Sequence, residues 1–417
     1  MKHDVVVIGA GLAGLTAGIR LAQEGLDVAM FATGHGALPL APAVVDVLGY
    51  VPHRVQNPWV ELPAFVAKRS QHPYARLSMG ALAASVDWFK DIAAPLGYAG
   101  SLERNQLLPT ALGGLRPTVL VPETMVAGEL SGGGDVLIVG ISGYRDFYPS
   151  LVAQNLSASS PAADCRITAR AVEVALAGDP RDLRPQLLSR RLEEPQVRAD
   201  LARSIRAELR AETAVGLPAV LGLERSHEVW SDLEQWIGRP VFEIPTIPPS
   251  LPGQRLQALL IQVFRRFGGR LQIGNAVVAG HGGDGHLESV TVAQASREVS
   301  VSAGHFVLAT GGVGTAGIVV DRAGTPREAV LGLPVSFGGL SGEVGREYFG
   351  THPLDRMGVA VDARLRPTGG ESGHLFANLH AAGATLAGAE PWKEKSGDGI
   401  SLATGFAAAA AILEDRA

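Results

Sequence analysis

DVVVIGAGLAG (Asp4–Gly14) joins a short run of β-branched, apolar residues directly to three glycines in the spacing GxGxxG. The apolar run predicts a buried strand. Apolar residues then recur every three or four positions up to Gly25, which predicts a helix, and Val28–Ala32 predicts a second strand. Together these features predict a β-α-β unit at the start of the chain.

Each glycine of this motif has a separate predicted role. Gly9 permits a tight turn, Gly11 lets a diphosphate approach the backbone, and Gly14 lets the helix pack closely on the strand. The free N–H groups at the helix N-terminus are suited to bind a phosphate. Because the motif lies inside a complete β-α-β unit, the sequence favours nucleotide binding over a plain glycine-rich turn.

The acidic residue that usually binds an adenosine ribose at the end of the second strand is missing. Residues 30–35 contain neither Asp nor Glu, and Ala32 stands near the expected place. This gap argues against NAD and weakens the case for FAD. FMN has no adenosine half and needs no such acid, so the residues alone leave FMN and FAD open.

Composition excludes several classes of protein. The 417 residues suit one large composite fold or two to three domains, and 46% hydrophobic with 18% charged residues excludes disorder and a coiled coil. A net charge of -5 without basic runs argues against nucleic-acid binding. The single Cys165 excludes an internal disulfide, a cysteine-ligated zinc site and an iron–sulfur cluster held by this sequence alone. We expect no metal site.

The sequence shows neither a secretion signal nor a membrane-spanning segment, since its longest apolar stretch, residues 400–413, is shorter than the roughly 20 residues that a span needs. We therefore expect a soluble or peripherally bound chain.

Prolines between Pro245 and Pro252 mark the end of a middle region. The predicted fold is α/β, an FAD/NAD(P)-binding Rossmann-like flavoprotein fold with an inserted α/β domain. The flavin-binding domain covers residues 1–75 and 253–417, and a substrate or partner domain covers residues 76–252.

Two more glycine-rich segments follow predicted strands, at Thr310–Gly312 and between Gly383 and Gly399. Such glycines allow close approach of the backbone to a flavin. The predicted cofactor-binding residues are Gly9, Ala10, Gly11, Leu12, Ala13, Gly14, Thr33, Gly34, Thr310, Gly311, Gly312, Gly383, Gly397 and Gly399. His72, Arg116 and Arg255 are the candidate catalytic residues, because Arg suits a phosphorylated substrate and His suits proton transfer.

Several stretches, in order along nearly the whole chain, resemble the B subunit of the bacterial anaerobic glycerol-3-phosphate dehydrogenase. The resembling stretches are residues 7–15, 72–74, 112–116, 139–143, 245–250, 253–256, 330–333, 365–367 and 378–383. The proline-rich stretch before Arg255 and the strand end Gly140-Ile141-Ser142-Gly143 are more particular to this family than the generic flavin motifs.

The resemblance implies a flavoprotein with FMN that pairs with a catalytic FAD subunit and an iron–sulfur subunit attached to the membrane. It implies oxidation of sn-glycerol 3-phosphate to dihydroxyacetone phosphate, with electrons passed towards menaquinone and then fumarate or nitrate. The chain would be cytoplasmic and peripheral on the inner face of the cell membrane, held there through a partner in the complex. Two alternatives remain: a stand-alone FAD-dependent oxidoreductase of the fumarate reductase class, and a cofactor-free structural subunit.

Overall fold

The computed structural model describes residues 2–159, 161–162, 164–176, 183–336, 350, 352–369 and 373–416. The chain forms two compact units. Unit 1 comprises Met1–Ala37, Asp46–Ile92 and Leu259–Ala417, and unit 2 comprises Leu38–Val45 and Ala93–Ala258. Each unit has its own sheet and its own apolar core; the sheet of unit 1 is mixed and the sheet of unit 2 is parallel.

Strands and helices alternate in parts of the chain, as in other α/β proteins, whereas β11 to β19 follow one another with no described α-helix between them. The described strands are β1 (Lys2–Ile8), β2 (Val28–Ala32), β3 (Tyr50–Val51), β4 (His53–Arg54), β5 (Gln106–Pro109), β6 (Leu115–Thr118), β7 (Gly134–Ile141), β8 (Ile167–Val174), β9 (Ala214–Pro218), β10 (Val241–Ile244), β11 (Arg270–Ile273), β12 (Ala276–Gly283), β13 (His286–Ala293), β14 (Glu298–Leu308), β15 (Ile318–Val320), β16 (Pro326–Glu328), β17 (Val335–Ser336), β18 (Gly358–Val359) and β19 (Leu379–Ala381). The described α-helices are α1 (Leu12–Gln23), α2 (Pro58–Ala67), α3 (Met79–Ile92), α4 (Glu123–Val126), α5 (Pro149–Ala158), α6 (Pro185–Leu192), α7 (Pro195–Glu208), α8 (Ser226–Ile237), α9 (Leu251–Arg266), α10 (Pro391–Glu394) and α11 (Gly397–Arg416).

The main sheet of unit 1 has the strand order β11-β2-β1-β14-β13-β12, and β19 also pairs with β14. β1 is an interior strand between two parallel neighbours. Its residues Val5, Val6 and Val7 have no exposed surface, as expected for a parallel strand that is covered on both faces of the sheet. β14 pairs with three strands along its length. Its first half pairs antiparallel with β13, and its second half runs parallel to β1 and β19.

Two helices rich in small residues pack on this sheet. α1 is buried along most of its length, and α11 lies against it. A Cβ on Gly405 of α11 would overlap the carbonyl oxygen of Ala13 in α1, so glycine allows the two helices to approach each other closely. The alanine run of α11 continues this close packing, which explains its weak separation into apolar and polar faces.

Unit 2 contains a four-stranded parallel sheet in the order β10-β9-β7-β8. The apolar core on this sheet draws on β7, β9 and β10 and on one face of α5, α7 and α8. The buried positions Leu201 and Ile205 of α7 are four residues apart, as a helix with one apolar face requires. Unit 2 is therefore an α/β unit in its own right.

The structure corrects some predicted element bounds. The apolar run from His374 predicts a strand, but β19 begins only at Leu379. The patterns at residues 300–304 and 305–310 predict two strands, but they belong to the single strand β14. Both errors arose because pairing partners, rather than local alternation, set where a strand begins. α3 belongs to unit 1, where it packs on α11. The domain bounds 1–75, 76–252 and 253–417 stay a prediction. Among the described residues, no helix is long and apolar enough to cross a membrane.

Candidate functional site

Four parallel strands of unit 1 end at one edge of the sheet, and most of the predicted cofactor segments follow them there. β1 leads into Gly9, β2 into Thr33, β14 into Thr310 and β19 into Gly383 within one to three residues. In open α/β sheets, ligands bind beyond the carboxyl ends of such strands. The topology thus brings together segments that are up to about 370 residues apart in sequence.

The turn after β1 has the geometry that its glycines predict. Gly9 has a φ of +112°, and a Cβ at this position would overlap the carbonyl oxygen of Ala309. A Cβ on Gly14 would overlap the carbonyl oxygen of Gly9, because α1 packs directly on the turn. The Gly9 N–H donates to the carbonyl oxygen of Phe31 at 2.8 Å. Gly9 and Gly14 therefore fix the backbone of the turn.

Gly11 differs from these two glycines because its missing side chain leaves open space. A Cβ there would meet no described atom within 4 Å, and Gly11 has an extended backbone that other residues can also adopt. Gly11 is the N-cap of α1, no described side chain caps the helix, and its first turn contains no acidic residue. Ala10 lies before Gly11 in this turn, and Leu12 and Ala13 are the first residues of α1. The first backbone N–H groups of the helix therefore fit a phosphate group.

The other strand ends pack around the start of α1. The Gly383 N–H donates to Thr404 Oγ1 at 2.8 Å, and a Cβ on Gly383 would lie 2.8 Å from the Cβ of Ala13. The Gly311 N–H donates to Thr385 Oγ1 at 3.0 Å. These contacts hold the strand ends of β14 and β19 beside α1.

Thr385 and Thr404 are the residues of this edge that the sequence analysis missed. Both are buried, and their hydroxyl groups accept hydrogen bonds from the N–H groups of predicted site glycines. The only signal in the sequence was their position near glycine-rich segments, which did not identify their partners.

The segment after β2 folds back on the glycine turn. Thr33 is exposed, and a Cβ on Gly34 would meet no described atom within 4 Å. Gly36, which was not among the predicted contacts, has a φ of +66°, and its Cβ would lie 2.9 Å from the Cα of Gly11. The loop after β2 is therefore in contact with the turn, and the end of β2 offers no carboxylate.

Gly397 and Gly399 pack against other parts of unit 1. A Cβ on Gly399 would overlap the hydroxyl of Tyr74 and would lie 2.9 Å from the carbonyl oxygen of Asp46. A Cβ on Gly397 would lie 3.3 Å from the Cβ of Pro391. These glycines allow the start of α11 to pack tightly, and their predicted contact with a cofactor stays a prediction.

His72 is fully buried in unit 1, and both of its ring nitrogens have partners. Nδ1 accepts a hydrogen bond from the Tyr74 N–H at 3.1 Å, so Nε2 is the donor to Glu394 Oε2, also at 3.1 Å. The Glu394 main chain accepts a hydrogen bond from the Gly49 N–H. His72 thus positions the segment that leads into α11, and its predicted catalytic role stays a prediction.

Glu394 is the centre of this buried network and was also missed from sequence. Its carboxylate accepts hydrogen bonds from Arg69 Nη1 at 2.5 Å and from Ser396 Oγ at 2.9 Å. Although burial favours the protonated form, the hydrogen bonds from His72 and Ser396 and the charge of Arg69 hold the pKa of Glu394 below its ordinary value. The network therefore contains a buried, ionised carboxylate.

Arg255 and Arg116 lie in unit 2. Arg255 forms a buried ion pair with Glu243, in which Nη1 and Nη2 donate to the two carboxylate oxygens at 2.6 and 3.0 Å. Arg255 also donates to the carbonyl oxygen of Gly222 at 2.9 Å through Nε. Its guanidinium is therefore already bound within the protein. Arg116 lies half-buried on β6, and the predicted catalytic roles of both residues stay predictions.

Glu243 has further partners in unit 2. Its carboxylate accepts hydrogen bonds from Thr124 Oγ1 at 2.8 Å and from the Leu221 N–H at 3.0 Å. The cavity beside Arg255, lined also by Tyr98, Thr124 and His227, holds about 20 Å³. That volume suits one water molecule and not a phosphorylated triol.

Comparisons with known proteins agree with this fold. The family described as FAD binding domain matches residues 4–400. The chain is 32% identical over 431 residues to the B subunit of the anaerobic glycerol-3-phosphate dehydrogenase of Pasteurella multocida, covering 99% of both chains. It is 33% identical to the protein of the same name from Pectobacterium atrosepticum, covering 100% of this chain and 99% of the relative. The probable B subunit of this dehydrogenase from Halobacterium salinarum is also 33% identical, covering 99% and 98%.

Solved structures with similar folds include the 3-ketosteroid delta1-dehydrogenase from Sterolibacterium denitrificans, with a TM-score of 0.48, 10% identity and coverage of 99% of this chain and 100% of that one. The predicted fold class and the predicted family are both confirmed by the family match and the relatives. The chain therefore belongs to the family of anaerobic glycerol-3-phosphate dehydrogenase B subunits, which are flavoprotein oxidoreductases.

Proposed function

We propose that this chain is the FMN-carrying subunit of an anaerobic respiratory sn-glycerol-3-phosphate dehydrogenase complex. The observation that carries the proposal is the open, uncapped start of α1 at Gly11, which lies where four parallel strands end. That geometry supports a phosphate site with room for a ligand. The full-length similarity to subunits named for this dehydrogenase supports the proposed reaction.

FMN is favoured over FAD by the end of β2. Its last residue is Ala32, so the strand offers no carboxylate to an adenosine ribose. The following loop brings Gly36 against Gly11, beside the phosphate site. A flavin with a single phosphate needs only the start of α1, and it needs no contact at the end of β2.

In this proposal the chain binds and orients the cofactor. The N–H groups at the start of α1 bind the phosphate, and the strand ends at Thr310–Gly312 and Gly383 support the remainder of the site. Bound flavin supplies the chemistry, which is acceptance of an electron pair and release of electrons one at a time. The His72–Glu394 network holds the segment before α11 in place and excludes water from it.

We place the oxidation of glycerol 3-phosphate to dihydroxyacetone phosphate mainly in a companion catalytic FAD subunit. Arg255, the buried candidate for phosphate binding, is occupied by Glu243, and the adjacent cavity is too small for the substrate. This chain then relays electrons to iron–sulfur clusters. These clusters belong to a membrane-attached subunit, because the single Cys165 of this chain cannot ligate a cluster. Menaquinone receives the electrons, and fumarate or nitrate is the final acceptor. The chain works in the cytoplasm, on the inner face of the membrane.

The identity of the bound flavin tests this proposal. The full chain is purified, its chromophore is released by heat, and the product is compared with FMN and FAD by chromatography. We expect FMN at about one per chain. FAD would contradict the FMN assignment and favour a stand-alone oxidoreductase, and no flavin after reconstitution with both would favour a structural subunit.

The reaction needs a second test. Glycerol 3-phosphate is added anaerobically to the flavin-loaded chain and, separately, to the chain co-purified with the products of co-expressed companion subunits. We expect bleaching of the flavin absorbance in the complex only. Bleaching of the isolated chain at the same rate would place the substrate site in this chain.

A further inference from the structure

Two histidines of unit 1 lie on one face of the main sheet, away from the site just described. His305 is on β14 and His380 is on β19. In the parallel ladder His380 is opposite Val307, two residues after His305, so both imidazoles point to the same side of the sheet. Asp415 lies in the last turn of α11 and completes the cluster.

The three side chains converge. One ring nitrogen of each histidine and one carboxylate oxygen of Asp415 all lie within 4.8 Å of one another. His380 is fully buried, and its Nε2 lies 4.0 Å from Asp415 Oδ2. Among the described residues, neither His380 Nε2 nor His305 Nδ1 has a hydrogen-bond partner, although both atoms are buried. Buried polar atoms without partners are rare in native proteins and require an explanation.

The other nitrogen of His380 shows which form of the ring is present. Nδ1 lies 2.8 Å from the carbonyl oxygen of Arg364, which can only accept, so Nδ1 carries the hydrogen. In the neutral ring Nε2 then has a free lone pair directed at the cluster. A histidine that donates its other N–H to a backbone carbonyl is the usual arrangement of a metal ligand.

The charges around the cluster permit a cation. Arg364 is paired with Asp415 Oδ1 at 2.5 Å and with Glu414 at 3.2 Å, which leaves Asp415 Oδ2 as the oxygen nearer to His380. Arg416 is paired with Asp4 at 2.9 Å. The neighbouring arginines are therefore neutralised by carboxylates. Asp415 is about one-third exposed, which provides an entry from solvent.

We propose that His305, His380 and Asp415 bind one divalent transition-metal ion, with Zn²⁺ as the preferred ion, and that this ion fastens the end of α11 to β14 and β19. Two imidazoles and a carboxylate are a common donor set for Zn²⁺, and water supplies a fourth ligand. Tetrahedral Zn²⁺ holds its ligand atoms about 3.3 Å apart, so small rotations of these side chains close the cluster around the ion. The role is structural and separate from the flavin site.

Metal binding by the full chain tests the proposal. The protein is treated with a chelator, dialysed, and titrated with Zn²⁺ by calorimetry, and bound metal is counted by elemental analysis. We expect one Zn²⁺ per chain and a higher melting temperature with the ion than without it. Co²⁺ serves as a second probe, because its visible absorption bands report imidazole ligation and coordination number.

Two variants and one control identify the site. D415N changes a partly exposed side chain, and His305→Gln removes one imidazole; we expect each to weaken Zn²⁺ binding about tenfold or more. His227→Gln removes an exposed histidine that also lies beside a carboxylate, Glu123 at 3.3 Å, and should leave binding unchanged. Far-ultraviolet circular dichroism and flavin content check that the variants are folded. Absence of stoichiometric binding in the wild-type chain, or equal binding by D415N and His305→Gln to that of the wild type, would overturn the proposal.

Discussion

Two parallel strands of this protein have a glycine within three residues of their carboxyl ends, and the two glycines differ in what fills the space beside them. After β1 in unit 1, the missing side chain of Gly11 opens onto space with no described atom within 4 Å. At the end of β7 in unit 2, a Cβ on Gly140 would lie 2.6 Å from Cγ of Pro149, the first residue of α5. Both segments place a glycine near the carboxyl end of a parallel strand, whereas the atoms around the two glycines are different.

The difference shows that a glycine near the carboxyl end of a strand has two physical uses. Gly140 makes room for the protein's own proline, so it serves packing. Gly11 leaves room that the described protein atoms do not use, at a helix start whose N–H groups lack a side-chain cap. Only the second arrangement is suited to a ligand.

The largest effect is expected at Gly14, which fixes the turn itself. In Gly14→Ala the new Cβ would overlap the Gly9 carbonyl oxygen, and backbone atoms cannot move aside cheaply. We expect a loss of about 3 kcal/mol or more in the free energy of unfolding, with loss of flavin. Urea denaturation measures the change in the free energy of unfolding. Gly18→Ala in the same helix is the control, because its Cβ would meet only side chains, the end of Met30 and the ring of Phe264, and no backbone atom; equal losses in both variants would refute this reasoning.

A smaller effect is expected at Glu394, the centre of the buried network in unit 1, the unit that also contains β1. Glu394→Gln removes the charge that His72 and Arg69 stabilise, and we expect a loss of about 2 kcal/mol at pH 7. Because the folded pKa of Glu394 is lowered, the wild-type advantage is complete above its unfolded pKa of about 4.3 and disappears as the pH falls through the folded value.

Urea denaturation between pH 7 and about pH 2 measures this dependence, because the loss lies below the unfolded pKa. Exposed Glu61 provides the control variant Glu61→Gln, which should change stability little at any pH. A stability difference between wild type and Glu394→Gln that grows as the pH falls would contradict the assigned direction of the pKa shift.

The smallest effect is expected at Gly140, near the carboxyl end of β7 in unit 2. Gly140→Ala must displace Pro149, whose ring atoms can shift, so we expect a loss of about 1 kcal/mol and unchanged flavin content. Denaturation and flavin absorbance measure the two quantities. A loss of flavin in this variant would mean that the turn after β7 also serves the cofactor.

The start of the fold was predictable from sequence because its signals are local. The strand, the GxGxxG turn and the helix of Asp4–Gly14 and the residues after it lie next to one another, and each pattern has one structural solution. The final helix follows from an equally local signal, because residues 400–413 form a long run of mostly small apolar residues. Strand bounds such as those of β19 were less accurate, because partners elsewhere in the chain decide them.

The supporting side chains were not predictable because their partners are distant in sequence. His72 meets Glu394 across 322 residues, and Gly311 meets Thr385 across 74. The expectation of no metal rested on the single cysteine, whereas His305, His380 and Asp415 come together only through sheet register and the path of α11. Arg255 looked available from sequence because nothing nearby indicated that Glu243 would bind it.

The central claim is that the open space at Gly11 is the phosphate site, and one paired measurement tests it most directly. Gly11→Val fills that space, and Gly283→Val adds the same side chain at an exposed glycine whose Cβ also meets no described atom within 4 Å. Flavin per chain is measured by absorbance for both purified variants, with circular dichroism as the check on folding. We predict that Gly11→Val folds but retains less than about one-tenth of the wild-type flavin, since its side chain blocks close approach to the helix start. Gly283→Val should retain all of it, and a folded Gly11→Val with full flavin would contradict the account.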